Sequence, residues 1–423
     1  MTDTDRPTPG VGRRRFFQGA AGGAALGALA AGGTARAVSA QGATATSAED
    51  DRELVDLTGQ YRFFDQAHPP GVATLPQRHA LYMTFDMVDG STRAALQTLL
   101  ARWTAAISVL MAGRPIGQVR PLRDEAVGQD TGEAVGLAPA NVTVTVGLGP
   151  GLFDRRFGLA THKPELLAAL PQLPSDKLTP ETTGGDLSLQ VCSDDPQVSY
   201  HAVRNLARMA RDTVATRWTV NGFGRASAGP GQQTPRNLLG FKDGTRNLRQ
   251  PVELDQHVWL RDAGWMTGGT YQVVRKIQMT VETWDADRVS DQEQVIGRTK
   301  VEGAPLTGRQ EFDAPDFAAT GAGGQPVIDP QSHVALASPE NNGGVRILRR
   351  GYNYTDGIDQ YGQLDAGLLF IAYMNDPDSF VRLQRKLGAS DALNEYISHV
   401  GSGIFAIPPT PASGHYIGEQ LFT

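Results

Sequence analysis

Apolar positions recur along this chain in two ways. Some segments alternate or run unbroken as strands do, and others repeat at the three-to-four spacing of helices. His79–Val88 reads as a strand, and Ser91 stands where a cap would start a helix running to about Met111. Asn141–Gly147 alternates β-branched residues as a strand does, and Asp186–Cys192 reads the same way. From Pro196 to Arg217, the positions Val198, Ala202, Leu206, Met209 and Val214 predict one long helix. The order then repeats, with a strand over Tyr271–Thr283 and a helix from about Ala286 to Gly297. Gly367–Tyr373 does not alternate, which predicts a strand buried on both faces. A helix over Pro377–Leu387 and a last strand within Ile397–Ala406 complete the pattern. It predicts an α+β protein of two related β-α-β units, each an antiparallel sheet with helices on one face. Gly, Ser, Pro and Gln dominate 222–236, which puts the boundary there and gives domains over 53–225 and 226–423. The second unit is interrupted by 298–348, which has little regular pattern and includes the Gly-rich Thr320–Pro326. Loops of such length are usually functional.

The 423 residues suffice for two domains, and 40% hydrophobic with 20% charged residues is a globular composition. A net charge of −6 argues against a nucleic-acid binder. Cys192 is the single cysteine, which excludes a disulfide framework, a thiolate zinc site and an iron–sulfur cluster. The N-terminus has the order of a signal peptide: Arg13-Arg14-Arg15-Phe16-Phe17-Gln18, a weakly apolar Gly19–Gly33, then small residues around Ala35-Arg36-Ala37 and Val38-Ser39-Ala40. Residues 1–40 are therefore expected to be a twin-arginine signal and 41–52 a polar linker. The apolar stretch is too short and glycine-rich to span a membrane, so no span is expected in the mature chain. The expected export partner is the twin-arginine translocase, which carries folded proteins and their cofactors. The destination would be extracellular, cell-surface or periplasmic. With no cysteine near the cleavage site for a lipid anchor, a soluble mature protein is expected.

None of the eight histidines has zinc or non-haem iron spacing, and no nucleophile elbow or Walker loop is present. A lone histidine can still ligate haem iron, because the porphyrin supplies four nitrogens. His333 is the best candidate, in the apolar run Ser332–Pro339 within the long loop, although from spacing alone a core or surface histidine bonded to backbone accounts for it better. Asp243 sits in Gly240-Phe241-Lys242-Asp243-Gly244-Thr245, where an ordinary Asp-Gly turn also accounts for it, although the flanking Leu238 and Leu239 are apolar. Arg349 and Arg350 follow the strand-like Val345–Leu348, and alternation sends one inward and one outward. An inward arginine needs an anion, whereas a pair of surface arginines needs nothing.

Together these residues resemble the dye-decolorizing peroxidase superfamily, in particular its twin-arginine-exported branch, which includes deferrochelatase/peroxidase proteins. The most specific segment is Gly240–Thr245. Others are Gly184-Gly185-Asp186-Leu187 with Gln190-Val191-Cys192, Asp195-Pro196 with His201-Ala202-Val203-Arg204, Gly297-Arg298-Thr299-Lys300 with Gly303-Ala304-Pro305-Leu306, Leu348–Tyr352 and Gly367–Phe370. The resemblance covers about 55–410. It implies two ferredoxin-like α+β domains and one haem b per chain, held in the C-terminal domain. It implies His333 as proximal iron ligand, Asp243 as distal acid and Arg349 as distal arginine. Gly244, Thr245, Arg246, Ser338 and Pro339 would lie against the porphyrin, and Leu368 and Phe370 would wall the distal pocket. The family usually has an arginine two residues after the proximal histidine, where this chain has Ala335. It has His68-Pro69-Pro70-Gly71 in place of the family's His-Gln-Ala-Gly.

The implied reaction reduces hydrogen peroxide through a ferryl intermediate. Asp243 would move the proton between the peroxide oxygens and Arg349 would stabilise the developing charge. Dyes, phenols or other one-electron donors would be the reductants. An aspartate base works at pH values where a histidine is already protonated, which predicts an acidic optimum. Bulky donors need a surface relay, for which Tyr352, Tyr354, Tyr361, Tyr373 and Trp218 are candidates, although packing accounts better for each taken alone. Two other readings stay open: deferrochelatase-like release of iron from haem, and a haem-binding or delivery protein without turnover.

Overall fold

The computed structural model describes residues 56–123, 125–224 and 234–423. The expected signal peptide and linker, and the expected domain boundary, lie outside the described residues. The first half runs β1 (His79–Met87), α1 (Arg93–Leu110), β2 (Thr143–Leu148), β3 (Leu187–Ser193), α2 (Pro196–Ala210) and β4 (Val214–Phe223). The second half begins with α3 (Pro251–His257) and β5 (Thr270–Met279), followed by the short helices α4 (Val281–Ala286), α5 (Val289–Ile296) and α6 (His333–Ala337). It ends with β6 (Leu348–Arg349), β7 (Tyr352–Ile358), β8 (Leu364–Met374), α7 (Asp378–Ser390) and β9 (Ile397–Ile407).

The strand order is β5-β9-β2-β3-β1-β4-β7-β8, and β8 pairs back onto β5, so the sheet closes on itself. Within the ring lie two antiparallel four-stranded sheets, β4-β1-β3-β2 and β7-β8-β5-β9. If each set is renumbered from one, both have the order of a ferredoxin-like unit, with a helix after the first strand and another after the third. The seams between them are narrow. β2 meets β9 at the single pair Leu148↔Ala406, and β4 meets β7 at Gly222↔Tyr354 and Phe223↔Asn353. Closure leaves few exposed sheet edges. Every residue of β2 and β3 is buried, because α1 and α2 cover the outer face while the opposite face looks into the ring.

The structure corrects several elements. The helix predicted over 196–217 stops at Ala210, and Val214 opens β4 instead. Val214, Trp218, Val220 and Gly222 are buried there, while Thr216, Arg217, Thr219 and Asn221 are exposed, so the β-branched alternation outweighs the helical spacing. Thr92, rather than Ser91, caps α1 by accepting from the Ala95 N–H at 3.1 Å. The helix predicted over 286–297 is α5, which starts at Val289 after Arg288 adopts an extended conformation, and the separate helix α4 precedes it. The strand predicted to reach Thr283 ends at Met279, where α4 takes over.

Candidate active site

A cavity of about 240 Å3 lies between β5, β8, α6, α7 and the 237–248 loop. Its walls are mostly apolar and include Leu239, Phe241, Ile277, Leu383 and Leu387. All ten residues expected at the site line it: His333, Ser338 and Pro339 from the segment around α6; Asp243, Gly244, Thr245 and Arg246 from the loop; and Arg349, Leu368 and Phe370 from the strands.

His333 is the first residue of α6, whose N-cap Ser332 accepts from the Ala335 N–H. Its Nδ1 lies 2.7 Å from Asp391 Oδ2. Asp391 ends α7 and, through Oδ1, caps the following turn by accepting from the Leu393 N–H at 2.9 Å. The Ala392 N–H donates to the Gln331 carbonyl, which ties the two segments together. The Asp391 side chain is 2% exposed, whereas His333 keeps a third of its side-chain surface open to the cavity. A carboxylate acceptor keeps the proton on Nδ1 and leaves the Nε2 lone pair free. That nitrogen makes no hydrogen bond with any described residue. Burial alone would push the pKa of His333 down, but the charge and hydrogen bond of Asp391 outweigh it, so the net shift is upward. Arg349 and Asp243 are close enough to act on the same ring, in opposite directions.

Arg349 Nη1 donates to Asp243 Oδ1 at 2.8 Å, and Nη2 donates to the Thr245 carbonyl. The Asn247 side chain brackets the Arg349 backbone, accepting from its N–H at 3.0 Å and donating to its carbonyl at 2.7 Å. The loop reaches this shape through left-handed backbone at Gly240 (φ +83°) and Gly244 (φ +133°), which side chains other than glycine rarely adopt. Glu311 holds it from outside, accepting from Lys242 Nζ at 2.6 Å, from Thr245 Oγ1 at 2.9 Å, and from Thr234. Burial pushes the Glu311 pKa up, but these three donors overcome it and hold the carboxyl below its ordinary range.

Sequence reasoning missed Asp391 and Glu311. Asp391 is 58 positions from His333, and its only local signal is an aspartate at a helix boundary. Glu311 lies in the patternless segment. The two adjacent arginines do diverge, but Arg350 points into the protein and not to solvent. It is 3% exposed and donates to the carbonyls of Thr74 and Leu75 and to Gln77. Ala335 is buried and is not a wall of the cavity. Tyr352, Tyr354, Tyr373 and Trp218 are buried, and Tyr361 is exposed.

Among the described residues, no three His, Cys, Asp or Glu side chains cluster to hold a bare metal ion. A single imidazole suits a metal that brings its own equatorial ligands. An apolar slot, with one free imidazole nitrogen and an ion pair also opening into it, fits a flat macrocycle of that kind. Four cations, Lys242, Arg246, Arg298 and Arg346, also line the cavity; Lys242 is paired with Glu311, Arg246 with Glu340 and Arg346 with Glu253, and Arg298 donates to the Gly303 and Glu311 carbonyls.

Residues 69–224 match the family model of the N-terminal domain of Dyp-type peroxidases, and residues 234–412 match that of the C-terminal domain. The dye-decolorizing peroxidase of Thermobifida fusca is 37% identical over 440 aligned residues, covering 100% of this chain and 99% of the relative. The deferrochelatase of Escherichia coli K12 is 35% identical over 383 residues, covering 86% of this chain and 88% of the relative. The solved oxyferrous complex of DtpA from Streptomyces lividans superposes with a TM-score of 0.81 at 37% identity, covering 88% of this chain and 100% of that one.

Proposed function

The chain belongs to the Dyp-type peroxidase family, and from that premise we propose that it is a haem b peroxidase that reduces hydrogen peroxide and oxidises dyes, phenols or other one-electron donors. One observation carries the reading: the imidazole with its free Nε2 and the Asp243–Arg349 ion pair open into the same apolar cavity. His333 Nε2 would hold the iron, and the cationic Arg246 and Arg346 would meet the propionates in place of an arginine at position 335. Haem, when bound, supplies the iron and the two-electron chemistry that peroxide cleavage needs.

The protein's residues do the rest. The Asp243 carboxylate takes a proton from the incoming peroxide and returns it to the departing oxygen, which leaves as water. The Arg349 guanidinium, already aimed by Asp243, Thr245 and Asn247, stabilises negative charge on that oxygen without reorganising. Asp391 keeps His333 in the tautomer that presents Nε2. The apolar walls exclude bulk water and strengthen these interactions.

Twin-arginine export of the folded protein is part of the proposal and is supported by the order of residues 13–40. The likeness to deferrochelatases supports a second reading, release of iron from haem. Incubating the purified protein with haem separates the two. Peroxide-dependent dye bleaching with intact haem favours the peroxidase, and accumulation of metal-free porphyrin favours the other. His333→Ala should abolish the Soret band of the reconstituted protein, and a normal band would refute its role as ligand.

A further inference from the structure

We propose that Glu340 is a specificity-determining residue, because it competes with a carboxylate of the bound macrocycle for Arg246. The site then gains less from a carboxylate there than from one at Arg346. The proposal deepens the haem reading and rests on it. Both arginines wall the cavity, while their partners Glu340 and Glu253 are not among its walls.

The two pairs are built differently. Arg246 donates through both terminal nitrogens to Glu340, Nη2 to Oε1 at 2.5 Å and Nη1 to Oε2 at 3.3 Å. That end of the guanidinium holds one carboxylate at a time, and an anion on its remaining edge would meet the negative charge of the first. The Arg246 backbone is left-handed (φ +62°), which is uncommon for a residue with a side chain, so its place on the 237–248 loop is specified. Glu340 comes from the other side, three residues after α6, and the pair therefore ties the loop of Asp243 to the segment of His333. The hydrogen bond from Arg246, aided by its charge, holds the Glu340 carboxyl below its ordinary range, so the competitor is ionised at neutral pH. Arg346 donates only Nη1 to Glu253, at 2.6 Å, and its Nε and Nη2 make no hydrogen bond with any described residue. Glu253 is itself fixed in the first turn of α3, where its Oε2 accepts from the N–H groups of Arg249 and Gln250. Arg346 is thus braced with donors to spare, and the Arg246 fork is filled.

Hemin and its dimethyl ester differ only in the two carboxylates, which makes them the probe. Soret titrations with apomyoglobin as competitor give the affinity of the haem-free full-length chain and its variants for each compound. Glu340→Gln keeps the side-chain volume and removes the charge. It should bind hemin about three- to fivefold more tightly, the scale of an exposed ion pair, and leave affinity for the ester unchanged. Glu340→Ala, which removes the acceptor as well, should shift hemin in the same direction and decides the matter if the glutamine still holds the fork. Arg346→Gln should bind hemin about tenfold less tightly and spare the ester. Glu340 variants that bind hemin as the unsubstituted chain does, or more weakly, overturn the proposal, because a glutamate that only positions Arg246 gives that result. Variants that change hemin and ester affinity equally overturn it too. An unsubstituted chain that shows no Soret band with either compound overturns the haem reading itself, and the proposal with it.

Discussion

Replacing Asp391 by asparagine isolates what its charge does for His333. Asparagine has nearly the same volume, and its Oδ1 can still accept from the Leu393 N–H, so the turn after α7 stays capped. The loss is the carboxylate end of a 2.7 Å contact whose acceptor is 2% exposed. Hydrogen bonds to charged groups contribute about 1.5–3 kcal/mol. Loss of an outer partner of a metal-bound histidine typically costs about 10–100-fold in affinity, or about 1.4–2.7 kcal/mol. The two ranges overlap near 2 kcal/mol, so haem affinity should fall about thirtyfold. Titration of the haem-free protein with hemin, read at the Soret band, measures this directly. A second readout is the iron midpoint potential, which should rise, because a less basic imidazole stabilises the ferric state less. An Asp391→Asn protein with affinity within twofold of the unsubstituted chain and an unchanged potential would show that the carboxylate does not tune His333. Asp391→Ala removes the turn cap as well and should lose about 1 kcal/mol more in urea denaturation of the haem-free protein.

Three further predictions follow from the site and its supports. Arg349→Leu should slow peroxide consumption by about 100-fold or more while leaving haem content unchanged, and stopped-flow rates equal to those of the unsubstituted chain would remove Arg349 from the mechanism. Glu311→Gln weakens the grip on Lys242, Thr234 and Thr245, so kcat/KM for peroxide should drop by about tenfold and the protein should lose the part of its acid sensitivity that lies below the ordinary glutamate range. A folded-state pKa below the unfolded one gives stability that is present above the unfolded value and lost as pH falls through the folded one; a urea midpoint that tracks pH identically in the variant contradicts this. Burial, with a smaller contribution from Arg275, lowers the pKa of His399 to about 3. Stability should therefore fall as pH drops from about 6.5, by up to about 1.4 kcal/mol per unit, and His399→Gln should flatten that slope.

How far the sequence could be read depends on where each signal lay. The β-branched runs and unbroken apolar strands identified themselves because strands covered on both faces are buried along their length, as in most of β8 and in β3, where Ser188, Gln190 and Ser193 are buried with the apolar residues. The segment after α2 was misread because Val214 falls on the helical spacing of α2, and the alternation that makes β4 a strand becomes clear only from Trp218 onward. The Gly240–Thr245 loop was legible because its left-handed positions require glycine, and such a requirement is visible in a sequence. Asp391 and Glu311 were not legible. A carboxylate that supports a site from 58 residues away looks, in the sequence, like any other carboxylate. Closure of the two sheets into one ring was equally invisible, because three residue pairs make the seams and no periodicity records them.

The acid chemistry expected of the site meets a limit set by the same domain. A free carboxylate stays ionised at pH values where a free imidazole is already protonated. Over the window below pH 6.5, however, His399 makes the folded state harder to keep, because burial denies it the proton that the unfolded chain accepts. Below the ordinary glutamate range Glu311 adds its own loss, and it acts on the loop that carries Asp243. Activity should thus fall on the acid side in two separable ways. A direct effect of protons on the reaction is instantaneous and reverses on returning to neutral pH, whereas loosening of the 240–245 loop or unfolding proceeds with time. Enzyme jumped briefly to low pH and assayed at once should report the first, and enzyme held there should report both. His399 also lines the cavity, so if His399→Gln extends the survival of the held sample without altering the instantaneous profile, the two limits lie in different residues.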